Sequence, residues 1–216
     1  MLERIVAEAQ RAPTDATAQM YSFVRIASEP ARRRIAEVSG DQAHVATAAE
    51  FLMVCADVHR LERVLEKGGR RPGAYPATGL HFAAVDAALA AQRLIDAAEA
   101  LGVGTVCIGG ILNGLEEIVG LLALPRGVLP LFGLCLGWPA ETPHERPRLA
   151  LGSVLHEERY REQAPEEIEA DVAAMAAITR SRDWVGVLTR YFGRGGTMEA
   201  REPLLRRVLE RQGFAW

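Results

Sequence analysis

Two arginines flank a proline at Arg146-Pro147-Arg148, near the end of the stretch GLCLGWPAETPHERPRLA (133–150). The residue before a proline is held extended, so side chains two apart tend to point the same way. Two guanidiniums on one side can clasp a phosphate through several charge-assisted hydrogen bonds. The same residues also read as a solvated turn, with the arginines paired to Glu141 or Glu145. So short a basic motif does not choose between the two. In GTVCIGGILNG (104–114) two glycines follow a strand-like run. They let a ligand approach the backbone and leave N–H groups free to donate to it. The pattern is not G-x-G-x-x-G, and no acidic residue follows a second strand at the distance a dinucleotide site requires. An ordinary strand-to-helix turn fits it as well. APTDATAQ (12–19) offers hydroxyls and N–H groups to an anion or a polar ring edge. SGDQAHV (39–45) presents Gln42, whose amide both donates and accepts, as the edge of a heterocycle demands. Each of these two, taken alone, reads equally as a surface turn.

No self-contained catalytic set accompanies these elements. There is no Gly-x-Ser-x-Gly, no cysteine–histidine signature and no phosphate-binding P-loop. Carboxylates fall mostly on helix faces such as EEIEAD (166–171), which reads as a solvated stripe. Anion-binding and ring-edge elements without acid–base partners imply that a cofactor supplies the chemistry. The five histidines (44, 59, 81, 144 and 156) lack the short spacings of metal ligands, so no metal is expected. Cys55, Cys107 and Cys135 each lie within an apolar run and are odd in number. They read as buried free thiols of a protein in a reducing cytoplasm.

The elements that must position these groups alternate between helical and strand-like patterns. The 216 residues, 49% of them hydrophobic, suffice for a full core. A net charge of −3 disfavours nucleic acid as the main partner, and no long uncharged apolar run is present to span a membrane. Leu2, Ile5, Val6 and Ala9 mark an amphipathic helix ending near Pro13. YSFVRI (21–26) reads as a strand, EPARRRIAEVSG as a helix closed by Gly40, and FLMVCADV (51–58) as a buried strand after a second helix. KGGRRPGAYPATG (67–79) reads as a loop and a candidate lid. LHFAAVDAALAAQRLIDAAEALG (80–102) is apolar nearly all round, which predicts a buried central or subunit-interface helix. GTVCIGG (104–110) and PLFGLCLGW (130–138) read as strands separated by a helix at 115–124. Beyond residue 150 the chain reads as helical, with Pro203 opening a last helix that Gly213 closes. The expectation is an α+β fold in one domain, 1–216. Residues 1–150 would hold an antiparallel or mixed sheet with its central helix, and 151–216 a helical extension.

Read in order, APTDATAQ, SGDQAHV, AAEALGVGTVCIGG, VLPLFGLCLGWPA and RPRL closely resemble the nitroreductase family. The likeness is to its branch of larger NAD(P)H-dependent nitroreductases and flavin reductases. It covers almost the whole chain, and LPLFGLCLGWPA and IGG are its most specific parts. It implies an α+β intertwined homodimer with two FMN molecules at the interface. It further implies ping-pong chemistry, in which NADPH or NADH donates a hydride and a nitroaromatic, quinone or free flavin receives the electrons. By position, Thr14 and Asp15 would contact the flavin phosphate or ribityl region, with Thr17 nearby. Gln42 would face the ring edge, and Ile108, Gly109 and Gly110 would lie against the isoalloxazine. Arg146, where the family usually has lysine, and Arg148 would take the phosphate, while Arg180 matches an arginine associated with the NADPH 2′-phosphate.

Three departures accompany the resemblance. The family's His-Arg-Ser-x-Arg segment, about two dozen residues before APTDATAQ, is not in this sequence. Either the true start lies upstream, or the chain is a truncation expected to bind FMN more weakly and to depend on Arg146 and Arg148. A second NADPH-associated arginine falls on Glu202, beside Arg201, and a family tyrosine pair is Ala176-Ala177 here. The missing segment and Glu202 favour a second reading of the chain, as a non-catalytic homodimer that binds flavin weakly or holds another phosphorylated ligand, while the intact IGG and RPR elements favour the oxidoreductase.

Overall fold

The computed structural model describes residues 1–141 and 145–214. His144 lies outside that range. The described chain forms two compact units, Met1–Ala140 with Pro203–Trp216, and Glu141–Glu202.

The larger unit is built on a four-stranded antiparallel sheet of order β1-β2-β4-β3. Its strands are β1 (Tyr21–Arg25), β2 (Glu50–Asp57), β3 (Gly104–Ile108) and β4 (Val128–Gly137). β2 is an unbroken apolar run because helices cover both of its faces. Alternate side chains enter different cores: Phe51, Met53 and Cys55 one, Leu52 and Val54 the other. The first core is completed from α2 (Glu29–Val38), α3 (Ala43–Thr47), α6 (Leu115–Leu121) and the end of α9 (Thr197–Gln212). α1 (Leu2–Ala9) and α5 (Pro76–Glu99) complete the second. On α5 the residues Ala83, Ala87, Ala90, Ala91, Leu94 and Ala98 are all buried, and small side chains permit this close approach of helix to sheet.

On the other face of α5, Val85 and Leu89 are each 42% exposed in the single chain. Three expectations are corrected. The loop at 67–79 is shorter than its composition implies. α4 (His59–Lys67) runs into it, and Pro76 at the first position of α5 starts that helix, leaving 68–75 between them. Cys107 is exposed whereas Cys55 and Cys135 are buried, because β3 is the outermost strand and the helices leave part of it uncovered. Pro203 lies inside α9 and does not open it. Lacking an N–H, it cannot bond back to Glu199, and the division between the two units falls there. Gly213 does close α9, with φ +85.

The smaller unit contains α7 (Pro165–Ala176) and α8 (Trp184–Phe192). Its segment 145–164 is irregular apart from one turn of helix at Leu151–Ser153. Among the described residues no helix is long and apolar enough to cross a membrane.

Candidate flavin site

Three places in the chain gather the residues singled out above. The first is the turn after α1. Asp86, on α5 and only 1% exposed, receives hydrogen bonds from the Thr14 hydroxyl, the Asp15 N–H at 2.9 Å and the Met20 N–H at 3.0 Å. Thr14 Oγ1 accepts in turn from the Gln19 N–H at 2.8 Å. Within the turn Ala16, Thr17 and Gln19 have φ of +46, +58 and +52, a left-handed region that costs energy for residues with a Cβ. A carboxylate saturated by three donors supplies what such a turn needs to persist. The Thr14 hydroxyl is therefore committed inside the protein, while Asp15 and Thr17 are exposed and line a cavity of about 950 Å³. The opposite wall of that cavity is apolar, with Leu61, Val64, Tyr75 and Phe82, and Arg60 stands at its polar side. The Arg60 guanidinium donates at 2.6 Å to the carbonyls of both Gln19 and Tyr21, tying α4 to the turn.

The second place is where β3 ends. Ile108 is buried, and Gly109 and Gly110 open a short 3-10 turn whose first N–H groups lack partners within it. The two glycines differ in what surrounds them. A Cβ on Gly110 would come within 2.2 Å of the Ser39 carbonyl oxygen, whereas a Cβ on Gly109 would meet nothing within 4 Å. Gly110 is thus required by the close approach of the Ser39–Gln42 turn, and Gly109 faces open space. Gln42 is half-buried on that neighbouring turn, its amide 3.4 Å from the Gly40 carbonyl. Arg32 holds the following residues in place, donating to the Val45 carbonyl at 2.9 Å and to the Ala48 carbonyl. The fold therefore packs the turn that carries Gln42 against Gly110 through Ser39, with Ile108 and Gly109 leading into that contact. It does not bring Gln42, Ile108, Gly109 or Gly110 into the cavity beside Asp15 and Thr17, whose described lining includes none of the four.

The third place lies in the smaller unit. Arg146 and Arg148 are exposed on the irregular segment. Arg148 Nη1 turns back onto its own chain, 3.1 Å from the Arg146 carbonyl and 3.2 Å from that of Pro147. Arg180 is exposed on the turn between α7 and α8. The stripe reading of EEIEAD is corrected here. Asp171 is only 6% exposed and accepts from Ser153 Oγ at 2.7 Å, Gln163 Nε2 at 2.8 Å and the Ala150 N–H at 3.2 Å. These three donors, in that order of Ser153, Gln163 and Ala150, hold its carboxyl below the usual aspartate range. Glu167 makes a two-pronged pair with Arg161 at 2.7 and 2.9 Å and also accepts from the Ala164 N–H.

Comparison with known proteins assigns these elements to a family. Residues 1–138 match the Nitroreductase family. The chain belongs to the nitroreductase family. It is 35% identical over 222 residues to an oxygen-insensitive NADPH nitroreductase of Salmonella typhimurium, covering 99% of this chain and 88% of that protein. An NADPH-flavin oxidoreductase of Vibrio harveyi is 34% identical over 186 residues, 83% of this chain and 73% of that one. Among solved structures, the Vibrio harveyi NADPH:FMN oxidoreductase complexed with NAD+ matches with a TM-score of 0.87 at 32% identity, covering 98% and 87% of the two chains. The NfrA1 nitroreductase from B. subtilis matches at 0.89 and 27% identity, covering 98% and 89%. The α+β expectation holds, and the family fold is the one described above.

Two buried carboxylates that hold these turns, Asp86 and Asp171, have no place in the motifs read from the sequence. Asp86 had a usable signal, since a lone carboxylate amid alanines on a helix face is rarely buried without partners. Asp171 had none, because its partners Ser153 and Gln163 come from an irregular segment that no periodicity reveals.

Proposed function

We infer that this chain is an NAD(P)H-dependent flavin oxidoreductase whose redox group is FMN. The observation that carries the reading is the junction of two turns at Gly110, where Ser39 of the Gln42-bearing turn packs against the glycine and Gly109 faces open space. A flat ring can lie against a residue without a side chain, and that opening suits the group. When bound, FMN would supply hydride acceptance from NAD(P)H and electron delivery to a second substrate, in two half-reactions.

The remaining roles belong to the chain's own residues. Ile108 backs the turn from the core, Gly109 and Gly110 offer backbone N–H groups, and Gln42 offers donor and acceptor to a ring edge. Arg146 and Arg148 are assigned to the phosphate, for which Arg148 has only to exchange two carbonyls of its own chain. Asp15 and Thr17 remain available to a ligand, while Thr14 acts through the shape of its turn. Arg180 is assigned to the 2′-phosphate of NADPH. The mixed walls of the 950 Å³ cavity, apolar at Leu61, Val64 and Phe82 and polar at Thr17 and Arg60, suit a small aromatic or quinone acceptor. A second copy of the chain would cover the exposed apolar side chains Val85, Leu89, Val106 and Trp138, which supports a homodimer. Free thiols at Cys55, Cys107 and Cys135 accord with a cytoplasmic enzyme. Neither the fold nor the relatives' names favour a non-catalytic homologue.

Titration with FMN tests the reading. Tight binding with quenching of flavin fluorescence, lost in the double variant Arg146→Ala/Arg148→Ala, is expected. Failure of the wild-type chain to bind FMN would overturn it.

A further inference from the structure

We propose that Asp171 is a positioning residue for the phosphate grip, fixing the backbone beyond Arg148 and with it the place of both guanidiniums. The inference rests on the assignment of Arg146 and Arg148 to the flavin phosphate.

The segment that carries these arginines is weakly held by its own backbone. Residues 145–150 contain no helix or strand, so no ladder of backbone hydrogen bonds sets the direction of Arg146 or Arg148. The first tether after Arg148 is two residues on, where the Ala150 N–H meets Asp171 Oδ1 at 3.2 Å. The other carboxylate oxygen takes Ser153 Oγ at 2.7 Å and Gln163 Nε2 at 2.8 Å, and Gln163 Nε2 also reaches Ser153 Oγ at 2.9 Å. All three donors to Asp171 come from the irregular segment 150–163 and none from α7, the helix on which Asp171 itself stands. The carboxylate therefore does not serve its own helix. It pins three points of a coil to a rigid element, and a side chain that is 6% exposed holds that pin away from water. A pinned coil presents its arginines ready-placed, so less ordering remains to be done when a phosphate arrives.

Charge separates this role from a simple electrostatic one. Replacing Asp171 by asparagine also removes a negative charge from the unit that carries the two arginines. Coulomb's law alone would then tighten phosphate binding. A pin predicts the opposite, because an asparagine amide turns one pair of hydrogen-bond donors toward donors already present.

The test measures FMN and riboflavin affinities side by side, since the two differ only in the phosphate. Four proteins are compared: wild type, Arg146→Ala/Arg148→Ala, Asp171→Asn and Ser153→Ala. Binding is read by flavin fluorescence, with far-ultraviolet circular dichroism and melting to establish folding. Wild type should prefer FMN, and the double arginine variant should lose that preference. Asp171→Asn should weaken FMN by about tenfold, the scale of a lost hydrogen bond to a charged group, and leave riboflavin unchanged. Ser153→Ala should move in the same direction by less. A folded Asp171→Asn that keeps the wild-type ratio of FMN to riboflavin affinity, or weakens both flavins equally, overturns the proposal. If Asp171→Asn does not fold, Ser153→Ala decides by the same ratio. If wild type shows no preference for FMN, or the double arginine variant keeps it, the phosphate assignment itself fails. That outcome is read without reference to Asp171, and it removes the proposal with it.

Discussion

Replacing Asp86 by asparagine probes the turn after α1 at its single buried support. The carboxylate accepts from the Thr14 hydroxyl and from the N–H groups of Asp15 and Met20. Asparagine keeps the volume but presents one amide that donates where the native oxygen accepts. At least one donor then loses its partner inside the core. A lost hydrogen bond to a charged acceptor costs about 1.5–3 kcal/mol, and a donor left unpaired in a buried place costs a similar amount. The turn also holds Ala16, Thr17 and Gln19 at positive φ, strain of about 1 kcal/mol or more at each that the carboxylate keeps in place. Released strain partly offsets the lost bonds, so a net loss of about 2–3 kcal/mol is expected. For a chain of this length, 1 kcal/mol lowers Tm by about 2–4 °C, which gives a fall of roughly 4–12 °C. Thermal melts followed by circular dichroism would show it, and Thr14→Ala, which removes one of the three donors, should fall by less. An Asp86→Asn protein that melts within about 1 °C of wild type would refute the claim that this carboxylate holds the turn.

Other expectations follow from particular contacts. Gly109→Ala places its methyl in open space, so stability should change by no more than about 0.5 kcal/mol while FMN affinity drops, measured by melting and by flavin titration. Gly110→Ala drives a Cβ against the Ser39 carbonyl and should cost about 1–3 kcal/mol, lowering the urea midpoint. Burial pushes the thiols of Cys55 up to about 12 and Cys135 up to about 11, so an alkylating agent at neutral pH should modify exposed Cys107 first, as peptide mass mapping would show. The Asp171 carboxyl lies below its usual value when folded, so its contribution is complete above the ordinary aspartate value of about 3.9. It is lost only as pH falls through the lower folded value. Hydrogen exchange of the Ala150 amide, corrected for intrinsic rates, should therefore show the same protection at pH 5 and pH 8.

Much of the fold is legible in the sequence because period and punctuation agree. FLMVCADV is apolar without alternation since both faces of β2 are covered, and Gly40 and Gly213 end helices at positive φ. The reading fails where tertiary context overrides local pattern. Pro203 looks like a helix start because proline is favoured there, yet Thr197 already begins the helix and the proline interrupts it. At the candidate site, the motifs give the residue types and the fold adds which of them meet. The turn that carries Gln42 is far from Gly110 in sequence and meets it only because the Ser39 carbonyl packs against the glycine. Asp171 and its donors are invisible to any periodicity, since hydrogen bonds from a coil leave no repeating pattern.

The central claim, that FMN bound to this chain carries electrons from NAD(P)H, is tested most directly by the colour of the protein under anaerobic conditions. The account predicts a yellow protein, as purified or after addition of FMN and removal of the excess, whose flavin absorbance bleaches when NADPH or NADH is added. It also predicts that the colour returns when a quinone or nitroaromatic acceptor follows. A colourless protein that takes up no FMN on titration, or a bound flavin that neither nucleotide reduces, would contradict it.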